Sequence, residues 1–94
     1  MMNVSIFSMS LSERIFNMKL IPLGSNQNLV QLNSGVQVLF SYKTPVAAHV
    51  PGEGYFRTNH NWSRTTSKHI NKWLRGAIGV ASVDQSIIDN IAGL

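Results

Sequence analysis

The spacing of the apolar residues changes once along this chain, and that change constrains the fold more than any other feature. Between Leu29 and Thr58 apolar side chains largely alternate with polar ones, which is the period of a half-buried β-strand. After Ser63 they recur at every third or fourth residue, which is the period of an amphipathic helix. Strands followed by helices predict an α+β fold, namely an antiparallel β-meander of three to four strands followed by two short C-terminal helices.

Turn residues separate the predicted strands, which cover residues 29–32, 36–42, 46–50 and 55–58. Asn33-Ser34-Gly35 is typical of a three-residue hairpin loop whose glycine takes the left-handed conformation. Pro51-Gly52-Glu53-Gly54 has the composition of a second turn. Thr44-Pro45 is expected to interrupt the ladder, because proline has no N–H to donate.

Two helices are expected in the C-terminal part. Thr65-Thr66-Ser67 offers hydroxyl caps for a helix over residues 68–75, which Gly76 is expected to end. We expect this helix to pack, through Ile70, Trp73 and Leu74, on the strand face that carries Val36, Val38 and Phe40. Ser82 with Gln85 matches a capping box for the second helix. The apolar stripe of that helix consists of Val83, Ile87, Ile88 and Ile91.

The length of 94 residues, with 44% apolar and 13% charged residues, indicates one small globular domain. Residues 1–17 differ from the rest because serines interrupt their apolar residues, and Met18-Lys19-Leu20 reads like a second protein start. We therefore predict a single domain over residues 18–94 and an N-terminal extension, residues 1–17, that is dispensable for folding. The alternative is that residues 1–17 are an ordered segment that packs on the domain.

The sequence carries no sign of export or of a membrane span. It has no cysteine for a disulfide or a thiolate site. No apolar run approaches the ~20 residues that cross a bilayer, and residues 1–11 lack the basic region and cleavage site of a signal peptide. We expect a protein that works in the cytoplasm without a membrane partner.

The charge is basic and unevenly distributed. Eight Lys and Arg residues against four Asp and Glu give a net charge of +4, the sign expected for a partner that carries phosphate or carboxylate groups. Between Arg57 and Arg75 there is no acidic residue, and aromatic residues lie among the cations, as in proteins that bind single-stranded nucleic acid. The alternative is the ordinary solvated face of an amphipathic helix. The candidate binding residues are Arg57, His60, Trp62, Arg64, Lys68, Lys72 and Arg75.

No catalytic or metal-binding motif is recognisable. His49, His60 and His69 lack the close spacing of zinc ligands. No Gly-x-Ser-x-Gly sequence marks a nucleophile, and Pro51-Gly52-Glu53-Gly54 lacks the ending of a P-loop. Glu53 is far in sequence from Asp84 and Asp89, so a catalytic acid–base pair would form only if the fold happened to bring two of these carboxylates together. We expect a protein that is not an enzyme and has no metal or cofactor, so a small hydrolase or metal protein is the least favoured alternative.

Two stretches of the chain resemble a known family. They are residues 40–58, which include Phe40-Ser41-Tyr42-Lys43-Thr44-Pro45, and residues 66–74, Thr66-Ser67-Lys68-His69-Ile70-Asn71-Lys72-Trp73-Leu74. They are similar to a family of small uncharacterised proteins encoded by tailed bacteriophages, whose members start where Met18 stands. The resemblance covers residues 18–94 and implies a viral protein made in a bacterial cytoplasm, but no mechanism.

The leading hypothesis is therefore a non-enzymatic phage accessory protein in the host cytoplasm. It would bind nucleic acid or an acidic host surface through residues 57–75. The alternative is a protein-interaction module that inhibits a host enzyme or defence factor, or a self-assembling subunit, and the oligomeric state is left open.

Overall fold

The computed structural model describes residues 18–94, which form six strands and two helices. In chain order the elements are β1 (Met18–Gly24), β2 (Gln27–Leu32), β3 (Gln37–Ser41), β4 (Thr44–Val50), β5 (Gly54–Thr58), α1 (Arg64–Trp73), β6 (Ala81–Val83) and α2 (Gln85–Ala92). The α+β class is confirmed, and both helices lie in the C-terminal part. Within this part of the chain no helix is long and apolar enough to cross a membrane.

All six strands form one sheet, in which the spatial order equals the chain order. Strands β1 to β5 pair antiparallel with their neighbours, as a meander. Strand β6 instead pairs parallel with β5, and Ser82 lies opposite Arg57. Parallel neighbours need a crossover connection between them, and here α1 is that connection.

The predicted number of strands was too low, because the sequence gives no periodic signal for β1 or β6. Leu20-Ile21-Pro22-Leu23 does not alternate, and its proline is tolerated because β1 lies at the edge of the sheet. Strand β6 has three residues, which is too short for a recognisable period. Ser82 lies in the middle of this strand and is not a helix cap.

One face of the sheet, called the α1 face below, packs against α1. Leu39 and Ala47 are register partners on β3 and β4, so their side chains point to the same face. They form a buried cluster with Val46, Ile70 and Leu74. Tyr55 and Trp73 pack against this cluster.

The opposite face, called the α2 face, packs against α2. Val38 is next to Leu39 on β3, and Ala48 is next to Ala47 on β4. Because successive side chains of a strand point to opposite faces, Val38 and Ala48 point to the α2 face, and both are buried. Helix α2 contacts β4 and β5 and contributes the fully buried Ile88. Ser82, on the α1 face of β6, is exposed, so α2 does not cover that side. The domain therefore has three layers, with one helix on each face of the sheet.

This arrangement corrects the predicted packing of the first helix. Ile70, Trp73 and Leu74 pack on the face of Leu39, whereas the sequence predicts the face of Val36, Val38 and Phe40. Alternation identifies two strand faces but does not say which helix covers each, and both faces of β3 carry apolar residues.

The helix starts also differ from the predicted ones. The hydroxyl of Ser63 accepts a hydrogen bond from the N–H of Thr66 at 3.1 Å, so α1 begins at Arg64 and not at Lys68. Asp84 caps α2 in the same way by accepting from the N–H of Ser86, in place of the predicted Ser82–Gln85 capping box.

Both predicted turns are confirmed. Gly35 has a φ of 93°, and its N–H donates to the carbonyl of Leu32 at 2.9 Å. Gly52 has a φ of 83° in the turn between β4 and β5. At Pro45, where the sequence predicts an interruption, the ladder is irregular but continues. Pro45 lies within β4 opposite Phe40, next to a register shift, where a missing N–H is tolerated.

Candidate nucleic-acid interface

Helix α1 presents its cations on its outward side. Arg64, Lys68 and Lys72 follow one another at intervals of four residues, so they lie within about 80° around the helix and span about 12 Å along it. Arg75 follows in the turn after α1. All four are exposed, whereas Ile70 and Leu74 on the inward side are buried. The predicted cationic helix face is therefore present.

Arg57 joins this surface from the sheet. It lies on β5 opposite Ala47, so its side chain points to the α1 face. Its Nη1 donates to Oδ1 of Asn71 on α1 at 3.2 Å. The name basic surface is used below for these five cations: Arg57, Arg64, Lys68, Lys72 and Arg75.

The acidic residues lie elsewhere in the described chain. Glu53 is in the turn between β4 and β5, and Asp84 and Asp89 belong to α2 or its cap. The hydroxyl and the backbone N–H of Ser86 donate to the carboxylate of Asp84 and lower the pKa of this group below its ordinary value. Oδ1 of Asp89 accepts from Nε2 of Gln85 at 2.9 Å. The carboxylates of Asp84 and Asp89 therefore belong to α2 and its cap, whereas the cations belong to α1 and the segments beside it.

Buried hydroxyl groups fix α1 to the end of β3. Oγ of Ser41 lies 2.9 Å from Oγ1 of Thr66 and 2.8 Å from Nδ1 of His69. Ser41 and Thr66 are buried, so these hydrogen bonds satisfy polar groups that would be costly to bury alone. The burial of Ser41 also leaves no room for a substrate at its hydroxyl, so we interpret the Ser41–His69 pair as structural.

His60 and Trp62 lie in the loop before α1, and both are exposed. Their ring centroids are 4.2 Å apart in an edge-to-face arrangement. Nε1 of Trp62 donates to Oε1 of Gln85 at 3.1 Å, and Nε2 of Gln85 donates to the carbonyl of Pro45 at 2.7 Å. Gln85 thus connects this loop to the start of β4, at the end of the sheet where α1 begins.

Tyr42 lies at this same end and is absent from the residues that the sequence assigns to the site. It occupies the turn between β3 and β4, is 51% exposed, and has its ring centroid 6.1 Å from that of His69. The sequence predicts Tyr42 as the last residue of a strand. Neither Tyr42 nor Lys43 is a residue type that marks a turn, so local sequence gave no signal for its position.

The three histidines do not come together. The ring of His49 neighbours Tyr55, that of His60 neighbours Trp62, and that of His69 neighbours Tyr42. Among residues 18–94 no three His, Asp or Glu side chains are grouped so that they could hold a metal ion.

A family model described as a family of unknown function, DUF8033, matches residues 18–90, which is more than half of the chain. The chain belongs to the DUF8033 family. The match confirms membership of a family of unknown function over residues 18–90, and it carries no information on a phage origin. A search of the curated proteins and a search of the solved structures found no significant match.

The DUF8033 match runs from the first residue of β1 into α2. It includes the basic surface, the His60–Trp62 pair and Tyr42. The structure therefore divides the predicted site residues of the DUF8033 domain into two neighbouring groups. Three of the five cations lie on α1, Arg57 lies beside it on β5 and Arg75 in the turn after it, and the aromatic residues lie at the end of the sheet where α1 starts.

Proposed function

We propose that this DUF8033 protein is a non-enzymatic binding protein that takes up a polyanion, in the first place nucleic acid, on its basic surface. The observation that carries the proposal is the separation of charge between the two helices. Cations line the outward side of α1, and the carboxylates of Asp84 and Asp89 belong to α2 and its cap. A ligand at α1 would meet a row of positive charge on a helix that carries no carboxylate.

The spacing of the cations suits a phosphate backbone. Successive turns of α1 place Arg64, Lys68 and Lys72 about 6 Å apart, in a row that a flexible strand can follow. Binding of phosphates releases condensed counterions, so such a complex is favoured by entropy and weakened by salt. A purely solvated helix face would give no such binding.

Fluorescence anisotropy of labelled oligonucleotides, titrated with the full chain at several salt concentrations, tests the proposal. If four cations meet phosphates of a single strand, log K falls with a slope of about −2.8 against log salt. Raising the salt from about 50 mM to about 200 mM then weakens binding about 50-fold. A variant with both Lys68→Glu and Lys72→Glu should abolish binding and keep the wild-type melting temperature, because both side chains are exposed.

A matched pair of single reversals controls for net charge. Lys68→Glu and Lys19→Glu change the total charge equally, but Lys19 lies on β1, at the edge of the sheet away from β4 and β5. Binding through the basic surface predicts a loss for Lys68→Glu and a near-normal affinity for Lys19→Glu. Equal losses would indicate attraction by net charge alone, and no binding at low salt would refute the proposal.

A second candidate function is a protein-interaction module, which includes inhibition of a host protein and self-assembly. It is favoured by β1, an edge strand whose Met18, Leu20 and Leu23 side chains are exposed. Exposed apolar residues on an edge strand are features of surfaces that pair with another chain. Concentration-dependent light scattering tests self-assembly. If nucleic acid does not bind while the charge reversals break a complex with a host protein, this second function is supported.

The resemblance of residues 40–58 and 66–74 to proteins of tailed bacteriophages is the basis for the cellular setting of this proposal. We propose that the protein is produced by a phage and acts in the cytoplasm of the bacterial host. Detection of the chain in the soluble fraction of infected cells would support this setting. Its synthesis in bacteria that carry no phage or prophage would contradict it.

A further inference from the structure

The backbone of Tyr42 has an uncommon conformation for its residue type. Its φ is 58°, in the left-handed region that glycine and asparagine adopt most readily. Asn26, which has the same φ in the turn between β1 and β2, is of a tolerated type, whereas a bulky aromatic residue is strained there. Glycine would make this turn without strain, so the tyrosine side chain is retained at a cost to stability.

Hydrogen bonds of the turn place the backbone that carries this exposed ring beside α1. The N–H of Tyr42 donates to the carbonyl of Asn26 at 2.7 Å. The preceding residue, Ser41, contacts Nδ1 of His69, and the ring of His69 lies beside that of Tyr42. His69 directly follows Lys68 on α1. The turn therefore holds an exposed aromatic ring next to the basic surface.

On the basis of the proposed function, we propose that Tyr42 stacks on an unpaired base, so that the ligand class of this surface is single-stranded nucleic acid. Single-strand binding combines cations that hold phosphates with exposed aromatic rings that stack on bases. A duplex keeps its bases stacked on one another and offers none to a surface ring. Trp62, at the same end of the sheet, provides a second exposed ring.

Tyr42 is a cleaner test position than Trp62. Truncation of Trp62 would also remove the hydrogen bond to Gln85, and with it a contact between the loop and α2. Tyr42→Gly removes the aromatic ring and at the same time relieves the unfavourable φ. The relief of φ offsets part of the packing lost with the half-buried ring, so we expect a melting temperature near that of wild type, and melting curves recorded beside the titrations separate a loss of binding from unfolding. Tyr42→Phe retains the ring and is the conservative control.

The probes are three labelled oligonucleotides of equal length, about 12 nucleotides, which is within the usual site size: oligo(dT), an abasic strand and a duplex. Wild type should bind oligo(dT) more tightly than the other two. Tyr42→Gly should weaken binding of oligo(dT) about 5- to 150-fold, as expected for the loss of one stacked base. It should leave binding of the abasic strand unchanged, and Tyr42→Phe should bind like wild type.

The outcomes separate this inference from the proposed function. If Tyr42→Gly binds oligo(dT) like wild type while the Lys68→Glu, Lys72→Glu variant does not, base stacking is refuted and the basic surface stands. Equal wild-type affinity for the abasic strand and oligo(dT) would also refute stacking. If wild type binds none of the three probes at low salt, both proposals fail.

Discussion

Three isoleucines offer the same chemical change at three degrees of burial, and so they test the three-layer packing directly. Ile88 on the inner side of α2 is 0% exposed, its neighbour Ile87 is 42% exposed, and Ile78 in the connection before β6 is 92% exposed. Replacement by alanine removes three carbon atoms in each case. At about 0.8 kcal/mol per buried methylene this is about 2.4 kcal/mol at full burial, and the remaining cavity brings typical losses to about 2–5 kcal/mol.

The expected loss decreases with exposure. For Ile87→Ala the buried fraction gives about 1.4 kcal/mol, and the higher helix propensity of alanine reduces this to about 1 kcal/mol. Ile78→Ala should cost about 0.2 kcal/mol, which is within error of zero. For a domain of this size 1 kcal/mol shifts the Tm by about 4–8 °C, so a loss of about 3 kcal/mol for Ile88→Ala lowers the Tm by about 12–24 °C.

Urea denaturation followed by tryptophan fluorescence measures these differences, provided that the slope m stays constant across the series. The result expected is the order Ile88, Ile87, Ile78 from largest to smallest loss of unfolding free energy. Equal losses at the three positions, or the smallest loss at Ile88, would show that α2 does not cover the face of Val38 and Ala48 as described.

Two further predictions concern the chain start and the pH dependence of stability. A chain that begins at Met18 should fold with a Tm close to that of the full chain, because the family match and the described sheet both begin there; a molten or insoluble product would instead place residues 1–17 in the core or in an interface. Because the folded-state pKa of Asp84 is lowered, its ionised form stabilises the fold above its unfolded pKa, and this contribution is lost as the pH falls below about 4. Asp84→Asn keeps a good cap without a titrating group, so melting curves from pH 7 down to about pH 2 should fall less steeply for this variant.

The local parts of the fold could be predicted from the sequence. The alternation of apolar and polar residues predicted strands β2 to β5, and the glycines Gly35 and Gly52 predicted the turns. Both signals depend on a few neighbouring residues only. The cationic side of α1 followed from the spacing of Lys68, Lys72 and Arg75 alone. The family resemblance is likewise local, since it depends on two continuous stretches of sequence and not on contacts between distant residues.

The remaining features depend on contacts between residues far apart in the chain. Tyr42 and Trp62 belong to one end of the molecule because Gln85, in the last helix, contacts both Trp62 and the backbone of Pro45. The spacing of residues along the chain cannot predict this contact, because the three residues are far apart in sequence. The cap of α1 was predicted wrongly for a related reason. Several hydroxyl residues precede α1, and Thr66 is engaged with the distant Ser41, so that Ser63 is the residue that caps the helix.

The charge separation behind the proposed function depends on the element that is hardest to predict, the three-residue strand β6. Residues 57–75 carry the cations, and the carboxylates of Asp84 and Asp89 follow shortly after in the chain. Two helices with no strand between them, as the sequence predicts, could pack side by side on one face, where these carboxylates would neutralise Lys68 and Lys72. Because β6 pairs parallel with β5, it anchors the chain in the sheet between the two helices. Helix α2 then starts from the sheet edge and packs on β4 and β5, so the two helices do not pack side by side.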